Sequence, residues 1–365
     1  MSRILKENDI KEIIVGAAFL GAGGGGGLDD GLIMLEENIS KTPGFEVTLI
    51  SPEELADNSN AVMIAGLGSP QALKEKEDKF LNETRYAFES MEHSAFLAGK
   101  HIDAIIPVEI GSVNTFVPMI PCATKGIPLV DADGCGRAVP GMDTTLYSIG
   151  GIPFSPGVAT SDDGDIIYVL PADPLDYAEA ENMLRYLCGA YGFCIGLGGC
   201  MSSKGDILAK LVPGTVSLQQ KAGKAILEAR AAGKDVEDAL GEAITLRKLA
   251  SGIVEANEQI TKNGHDVGLI TIKGDDGKTY YADVKNETIA FRTDDETLLT
   301  CPDLICCIDV KTCTPLTNAA IEAGMNVAYF AVPAADIWFA DTEGTAAAWK
   351  PYFEAVGYSG DIVRY

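Results

Sequence analysis

The sequence predicts two domains: an N-terminal α/β domain on a mainly parallel sheet at residues 1–170, and a C-terminal β-rich α+β domain at residues 171–365. The chain has 365 residues, of which 47% are hydrophobic, and this is enough to bury two cores. In the first part, short apolar runs alternate with helix-like runs, which is typical of a parallel sheet covered on both faces. In the second part, apolar and polar residues alternate between turn signals, which is typical of antiparallel strands.

The N-terminal half begins with KEIIVGAAFLGAG, which fits either a helix or a strand and leads into a run of glycines. The strand-like runs are FEVTLIS, AVMIAGLGSP, HIDAIIPVEIG and IPLVDADGCG. Helix-like runs alternate with them, namely GLIMLEENIS, KEKEDKFLNETRYAFESMEHSAFLAG from Lys74, and TFVPMIPCATKG. This alternation predicts parallel strands that are joined by helices.

The C-terminal half begins after LPADPLD with two helical segments, DPLDYAEAENMLRYLCGAYG and GTVSLQQKAGKAILEARAAGKDVEDALGEAI. The second segment divides into two helices at AAGKD. Strand signals follow in RKLASGIVEANEQIT, HDVGLITIKGDDGKTYYADVKNETIAFRTDD and LLTCPDLICCIDVKT. The GDDGK turn between two alternating runs predicts a β-hairpin.

The composition excludes several classes of partner. The formal net charge of −25 repels phosphates and anionic lipids, so we expect neither a nucleic-acid nor a membrane partner. No apolar run is long enough to span a membrane, and the N-terminus lacks the pattern of a signal peptide. Nine cysteines without a C-x-x-C pair predict reduced, mostly buried thiols in a cytoplasmic protein.

Five consecutive glycines, residues 23–27, precede a helix-like run. Backbone amides without side chains can approach a small polar ligand closely, so the candidate ligand-binding residues are Gly23, Gly24, Gly25 and Gly26. The run lacks the Lys-Ser/Thr ending of a phosphate-binding loop and is followed by Asp29 and Asp30, so no nucleotide is expected. The alternative is a flexible turn that only connects two elements.

Polar residues follow two predicted parallel strands, where ligands bind in open α/β sheets. In PVEIGSVNTF, Glu109 is a candidate general base or metal ligand and Asn114 a candidate ligand-binding residue, with helix capping as the alternative. In LVDADGCGRAVPGMD, Asp131 and Asp133 share one side of an extended segment and could hold Mg²⁺, Mn²⁺ or Ca²⁺. Arg137 could clamp a substrate carbonyl, and the alternative is an Asp-Gly turn with a surface ion pair.

A second glycine-rich segment, GLGGCMSSKGD, contains two further candidates. Cys200 is a candidate ligand-binding residue, although a small packed side chain is the alternative interpretation. Lys204 could stabilise an oxyanion through its positive charge.

The order of these segments resembles a known family. The glycine run is followed by PVEIGSVNTF, LVDADGCGRAVPGM, GGCMSSKGD, GTVSLQQKAGKAI, PDLICCIDVKTCTPL and VPAADIW. This series resembles the S-methyl-thiohydantoin desulfurase-like family, formerly a domain-of-unknown-function family, which is associated with hydantoinase/oxoprolinase proteins. The resemblance extends over almost the whole chain and implies two domains and hydrolysis of a small cyclic imide or its sulfur analogue.

Two functional hypotheses follow. In the first, a hydantoin- or thiohydantoin-like substrate binds between the domains, Glu109 or Asp133 activates water, and Arg137 or Lys204 stabilises the developing charge. This hypothesis requires Glu109, Asp133 and Arg137 to converge within hydrogen-bonding reach of one another, or of a shared water or metal. In the second, the chain is a non-catalytic metabolite-binding or regulatory subunit of a hydantoinase-type partner. A homo-oligomer is compatible with both hypotheses, and a nucleotide-binding enzyme is a weaker third hypothesis that rests on the glycines alone.

Overall fold

The computed structural model describes residues 2–68, 80–192, 194–262 and 265–365. Its strands in chain order are β1 (Arg3–Leu5), β2 (Val47–Ile50), β3 (Asn60–Gly68), β4 (Ala104–Ile106), β5 (Leu129–Val130), β6 (Ala132–Asp133), β7 (Gly157–Thr160), β8 (Ile166–Val169), β9 (Cys194–Ser203), β10 (Val212–Pro213), β11 (Arg247–Lys262), β12 (His265–Gly274), β13 (Thr279–Lys285), β14 (Glu287–Arg292), β15 (Thr297–Thr300), β16 (Leu304–Asp309), β17 (Thr314–Leu316) and β18 (Asn326–Val332). Its α-helices are α1 (Glu7–Leu20), α2 (Leu28–Lys41), α3 (Leu81–Leu97), α4 (Ser112–Phe116), α5 (Met119–Lys125), α6 (Leu146–Ile149), α7 (Tyr177–Ala190), α8 (Lys204–Lys210), α9 (Thr215–Ala232), α10 (Val236–Ala243) and α11 (Thr342–Ala355). Short 3-10 helices span Pro52–Glu54, Met142–Thr144, Asn318–Ala320 and Asp336–Phe339.

The first sheet contains eight described strands in the order β1-β2-β5-β4-β3-β9-β7-β8. Strands β2, β5, β4 and β3 are parallel, and the flanking pairs are antiparallel. The α/β part of the fold class is therefore confirmed, although the sheet is mixed. The cause is β9, which comes from the second half of the chain and lies antiparallel to β3.

The ambiguous run before the glycines is helix α1. Its buried residues Ile10, Ile13 and Ile14 recur at the spacing of one helix face. Of the long helix predicted from Lys74, the structure describes α3 from Leu81, and residues 74–79 lie outside the described residues. No helix in the described ranges is both long enough and apolar enough to cross a membrane.

The second sheet has the order β15-β14-β13-β12-β11-β18-β16-β17, and all its pairs are antiparallel. The predicted β-rich C-terminal sheet is therefore confirmed. The GDDGK hairpin joins β12 to β13, where the Gly277 amide donates to the Gly274 carbonyl at 2.9 Å. A separate antiparallel pair joins β6 to β10.

Strand β16 is buried on both faces. Ile305 and Cys307 pack into a core with residues of β12, β14 and β18. Cys306 and Ile308 point to the other face and pack against α1 and α9. This two-residue alternation explains why the segment is almost continuously apolar.

Helices α1 and α9 connect the two halves of the chain through a close crossing. A Cβ atom at Gly16 would overlap the Gln219 carbonyl, and a Cβ atom at Gly223 would overlap the Glu12 carbonyl. Both positions are helical, so the glycines serve close helix packing rather than a turn.

We expect Gly223→Ala to reduce the free energy of unfolding by about 2 kcal/mol, because its methyl group would force α1 and α9 apart. Gly241→Ala is the matched control, since Gly241 lies in helix α10 and a Cβ atom there meets no atom within 4 Å. Alanine should be neutral or stabilising by up to about 1 kcal/mol at that position. Urea denaturation measures both variants, and equal stability of the two would contradict the close packing.

Candidate functional site

Two buried glutamates meet between the sheets. Glu109 follows β4 at the carboxyl end of the parallel strands, and 8% of its surface is exposed. Its Oε2 accepts a hydrogen bond from the Val139 amide at 2.7 Å, and its Oε1 accepts one from the Asn114 side chain. Asn114 lies in α4, which begins directly after Gly111. The two candidates Glu109 and Asn114 are therefore neighbouring side chains.

Glu287 is the second buried carboxyl group, and the sequence analysis missed it. It is the first residue of β14 and is 3% exposed. Its Oε2 accepts no hydrogen bond from any described residue. The preceding Asn286 has φ 57°, so the chain turns sharply there. In the sequence, Glu287 lies in the segment NET, which resembles an ordinary turn between two strands. Its proximity to Glu109 arises only from the tertiary fold.

The glycine run lies against this pair. A Cβ atom at Gly24 would overlap the Glu287 carboxyl group, and one at Gly25 would lie 2.6 Å from the Ile110 carbonyl oxygen. The Gly25 carbonyl accepts from the Val113 amide at 3.1 Å, and the Gly23 carbonyl accepts from the Asn318 amide at 2.9 Å. The run therefore forms one wall beside the two carboxyl groups, and its hydrogen bonds reach both halves of the chain.

Burial shifts the protonation of the pair. It raises the pKa of Glu109 well above its usual value, and the charge of Glu287 raises it further. Burial also raises the pKa of Glu287 to about 7, although the Arg137 charge opposes this shift. Burial therefore favours the protonated form of Glu109, while Glu287 exchanges its proton near pH 7. An acid and a base with separated pKa values are the requirement for proton transfer in both directions.

Asp131 and Asp133 have different partners. Asp133 is fully buried, its Oδ1 accepts from the Cys135 amide at 2.6 Å, and burial raises its pKa to about 6. Asp131 accepts from the amide and hydroxyl of Ser217, at 3.0 and 2.5 Å, in the first turn of α9. Within the described ranges, no group of three or more His, Cys, Asp or Glu side chains is arranged to hold a metal ion.

Arg137 connects the domains from the protein interior. Its Nη1 donates to the carbonyls of Pro302 at 3.1 Å and Asp303 at 2.8 Å, and its guanidinium lies 5.3 Å from the Trp349 ring centroid. No hydrogen bond joins Arg137 to Glu109 or Asp133 in the described part of the chain. The three predicted residues therefore share one region without bonding directly, and Arg137 acts on Glu287 through its charge.

Lys204 and Cys200 lie away from the pair. Ser203 pairs with Asn60, the first residue of β3, and β3 is parallel to β4. Lys204 therefore lies at the amino ends of these parallel strands, whereas Glu109 follows the carboxyl end of β4. Its Nζ lies 3.2 Å from the exposed Asp57 carboxylate. Cys200 is buried, its Sγ is 3.2 Å from the Tyr177 hydroxyl, and burial raises its pKa to about 12. The structure brings neither residue to Glu109.

A cluster of polar side chains lies near Glu287, all of them partly buried except the buried Tyr352, and we call these residues the mouth: Asp143, Glu181, Arg185, His265, Lys285 and Tyr352. The Tyr352 hydroxyl donates to Asp143 at 2.5 Å, and Arg185 Nε donates to Glu181 at 2.7 Å. Lys285 Nζ lies 3.9 Å from the Tyr352 ring centroid. Burial lowers the pKa of His265 to about 4, so its ring is neutral at pH 7.

Two surface concavities lie elsewhere. One of about 420 Å³ is lined by residues of α10 and by Arg247 and Lys248, and one of about 230 Å³ lies beside residues 356–360. Neither is lined by Glu109 or Glu287, and neither contains a buried polar atom that lacks a partner. We place the candidate site at the carboxyl pair, because Glu287 has a buried oxygen that lacks a partner in the described residues.

Comparison with known proteins identifies relatives over the whole chain. The family model described as S-Me-THD-like, N-terminal domain, matches residues 8–170, and the one described as S-Me-THD-like, C-terminal domain, matches residues 175–359. These matches confirm the resemblance drawn from the motifs. An X-ray crystal structure of a protein from Chromobacterium violaceum has 21% sequence identity and a TM-score of 0.85, with 99% of each chain covered, so it shares the fold. No curated protein matches the chain.

We expect Arg137→Lys to destabilise the protein by about 3 kcal/mol, because a lysine cannot supply the same fork of donors to buried carbonyls. The control is Arg364→Lys, since Arg364 is an exposed arginine stacked on Phe339. That exposed substitution should change stability by less than about 0.5 kcal/mol. Thermal and urea unfolding measure the stability of both variants. If Arg137→Lys were as stable as wild type, the structural role of the Arg137 guanidinium would be refuted.

The raised pKa of Glu287 predicts a pH-dependent stability. Because its folded pKa of about 7 lies above its unfolded value, the unfolded chain loses this proton first as pH rises, and stability falls between about pH 4.5 and 7. Glu287→Gln removes this dependence. The difference in free energy of unfolding, variant minus wild type, should therefore rise by up to about 3 kcal/mol as the pH increases across that window. Urea unfolding from pH 4.5 to 8 measures the change. The control is Glu258→Gln, since Glu258 is an exposed residue of β11. Its stability should depend on pH in the same way as that of wild type.

Proposed function

The chain belongs to the S-Me-THD-like family, and we propose that it is a hydrolase acting on a small thiohydantoin- or hydantoin-like ring at the Glu109–Glu287 pair. One observation carries the proposal. A buried carboxyl group with a strongly raised pKa lies beside a second one with a pKa of about 7. Such a pair supplies a proton donor and a proton acceptor at the same pH.

The chemistry on an S-methyl-thiohydantoin is a hydrolytic displacement. Ionised Glu287 takes a proton from water, and the resulting hydroxide attacks the ring carbon that carries the S-methyl group. Glu109 donates its proton to the leaving sulfur. The new C–O bond forms and the C–S bond breaks, which releases methanethiol and leaves a ring carbonyl. The proton taken by Glu287 restores Glu109, and the hydroxyl proton passes to the ring nitrogen.

The glycine run supplies donors for the charge that develops during attack. The amides of Gly25 and Gly26 donate to no group in the described residues. Both residues are partly exposed, and both have the positive φ values, 74° and 93°, that favour glycine. Successive free amides beside the carboxyl pair fit the role of an oxyanion site.

We also propose a cytoplasmic location. All nine cysteines are free, and eight of them are buried. A chain rich in unpaired thiols is typical of a reducing compartment. The protein should therefore be purified and assayed with a reductant that does not interfere with thiol detection.

Incubation with S-methyl-2-thiohydantoin tests the activity. We expect methanethiol, detected by gas chromatography, and the corresponding hydantoin, detected by mass spectrometry. Glu109→Gln and Glu287→Gln should each reduce kcat by about 100-fold or more, because each removes one proton-transfer group. Glu258→Gln is the exposed control. The wild-type rate should rise with pH to a midpoint of about 7, as Glu287 ionises.

The same experiment separates the enzyme from a binding or regulatory subunit of a hydantoinase-type system. Thermal stabilisation by the ring without methanethiol release would favour that second hypothesis. Full activity in both glutamine variants would contradict the assignment of the pair. Neither stabilisation nor product would contradict a ring-binding function altogether.

A further inference from the structure

We propose that the ligand of this site carries a carboxylate on a short arm of its ring, and that the ammonium group of Lys285 binds this carboxylate at the mouth. The ring itself rests on the proposed function. The arm rests on the geometry of the mouth, and the two can be tested separately.

Lys285 is a cation that forms no ion pair in the described residues, although the charges of Asp143, Glu181 and Glu287 act on it. It ends β13, is partly buried, and its Nζ lies over the Tyr352 ring at 3.9 Å. Within the described residues, its ammonium group donates to no oxygen and pairs with no carboxylate. A partly buried ammonium group loses water on folding and gains nothing equivalent from an aromatic face alone. The three ammonium hydrogens are therefore available to a bound acceptor.

The acids near Lys285 are already bound by other groups. Asp143 accepts the Tyr352 hydroxyl at 2.5 Å. Glu181 accepts from the Met142 amide at 2.7 Å and from Arg185 at 2.7 Å. His265 is neutral at pH 7. These hydrogen bonds hold both acids in place and leave the lysine as a free donor beside them.

A second observation indicates a ligand in the same place. Glu287 lies two residues beyond Lys285, is 97% buried, and has an oxygen that accepts no hydrogen bond from the described residues. An unpartnered buried carboxyl oxygen requires an acceptor or donor from outside the chain or carries a free-energy cost. Lys285 and Glu287 are register partners on the two sides of the turn at Asn286, and the charge of Glu287 acts on Lys285. One small ligand can therefore reach both groups, with its ring at Glu287 and its arm at Lys285.

A purely structural role is the alternative for Lys285. In that case its stacking on Tyr352 only fastens α11 to the β13–β14 turn. Loss of the lysine would then lower stability without changing which ligand the site prefers. The test therefore measures a preference between two ligands rather than stability or affinity alone.

The probes are 5-(2-carboxyethyl)hydantoin and 5-(2-carbamoylethyl)hydantoin, which differ in charge and have nearly the same shape. Calorimetry measures binding of both to wild type, Lys285→Met and Lys278→Met. We expect wild type to prefer the carboxylate by about tenfold, as for a hydrogen bond to a charged group. Lys285→Met should reduce the ratio to about one. Lys278→Met removes an exposed lysine from the same hairpin and should leave the tenfold preference unchanged.

Equal affinity of wild type for the two probes would overturn the proposal, and so would an unchanged ratio in Lys285→Met. If Lys285→Met does not fold, Lys285→Gln replaces it with the same expected loss of preference. A carboxylate preference without any turnover would support this inference while contradicting the hydrolase. Turnover of S-methyl-2-thiohydantoin without a carboxylate preference would do the reverse.

Discussion

The site depends on one electrostatic constraint: two carboxyl groups are buried together where both cannot be ionised. Glu109 and Glu287 are both buried, so the charged form of each is penalised, and charge on Glu287 penalises charge on Glu109. The Arg137 guanidinium opposes this penalty at Glu287. Burial thus favours a protonated Glu109 beside a Glu287 that exchanges its proton near pH 7, and the proposed chemistry needs both states at once.

The fold produces this constraint by bringing two distant elements together. Glu109 follows a parallel strand of the first sheet, whereas Glu287 begins a strand of the second sheet. Arg137 donates to carbonyls of the second sheet's region, and the glycine run accepts hydrogen bonds from Val113 on one side and Asn318 on the other. Because these contacts are buried or made by the backbone, the pair is held by the packing of the domains.

The sequence predicts the fold class and half of the pair. Strand and helix periods are local, so the alternating runs identify both sheets, and the strand-end rule identifies Glu109 and Asn114. Lys204 is a candidate for its charge alone, and the direction of its strand is not predicted: β9 is antiparallel to β3, so Lys204 lies at the opposite end of the strands from Glu109. Glu287 has no local signal, since its burial arises from contacts with Gly24 that are distant in sequence. The position of Glu287 depends on contacts between residues that are distant in sequence, and the position of Lys204 depends on the direction of β9. Neither can be read from a local sequence pattern.

Infrared titration of the protein between pH 5 and 9 tests the central claim most directly. A protonated carboxyl group has a C=O stretch that its carboxylate lacks. The account predicts that wild type shows this band above pH 6.5, that Glu109→Gln weakens it, and that a component with a midpoint near 7 disappears in Glu287→Gln. Absence of any protonated carboxyl band in wild type above pH 6.5 would contradict the shared burial of the pair.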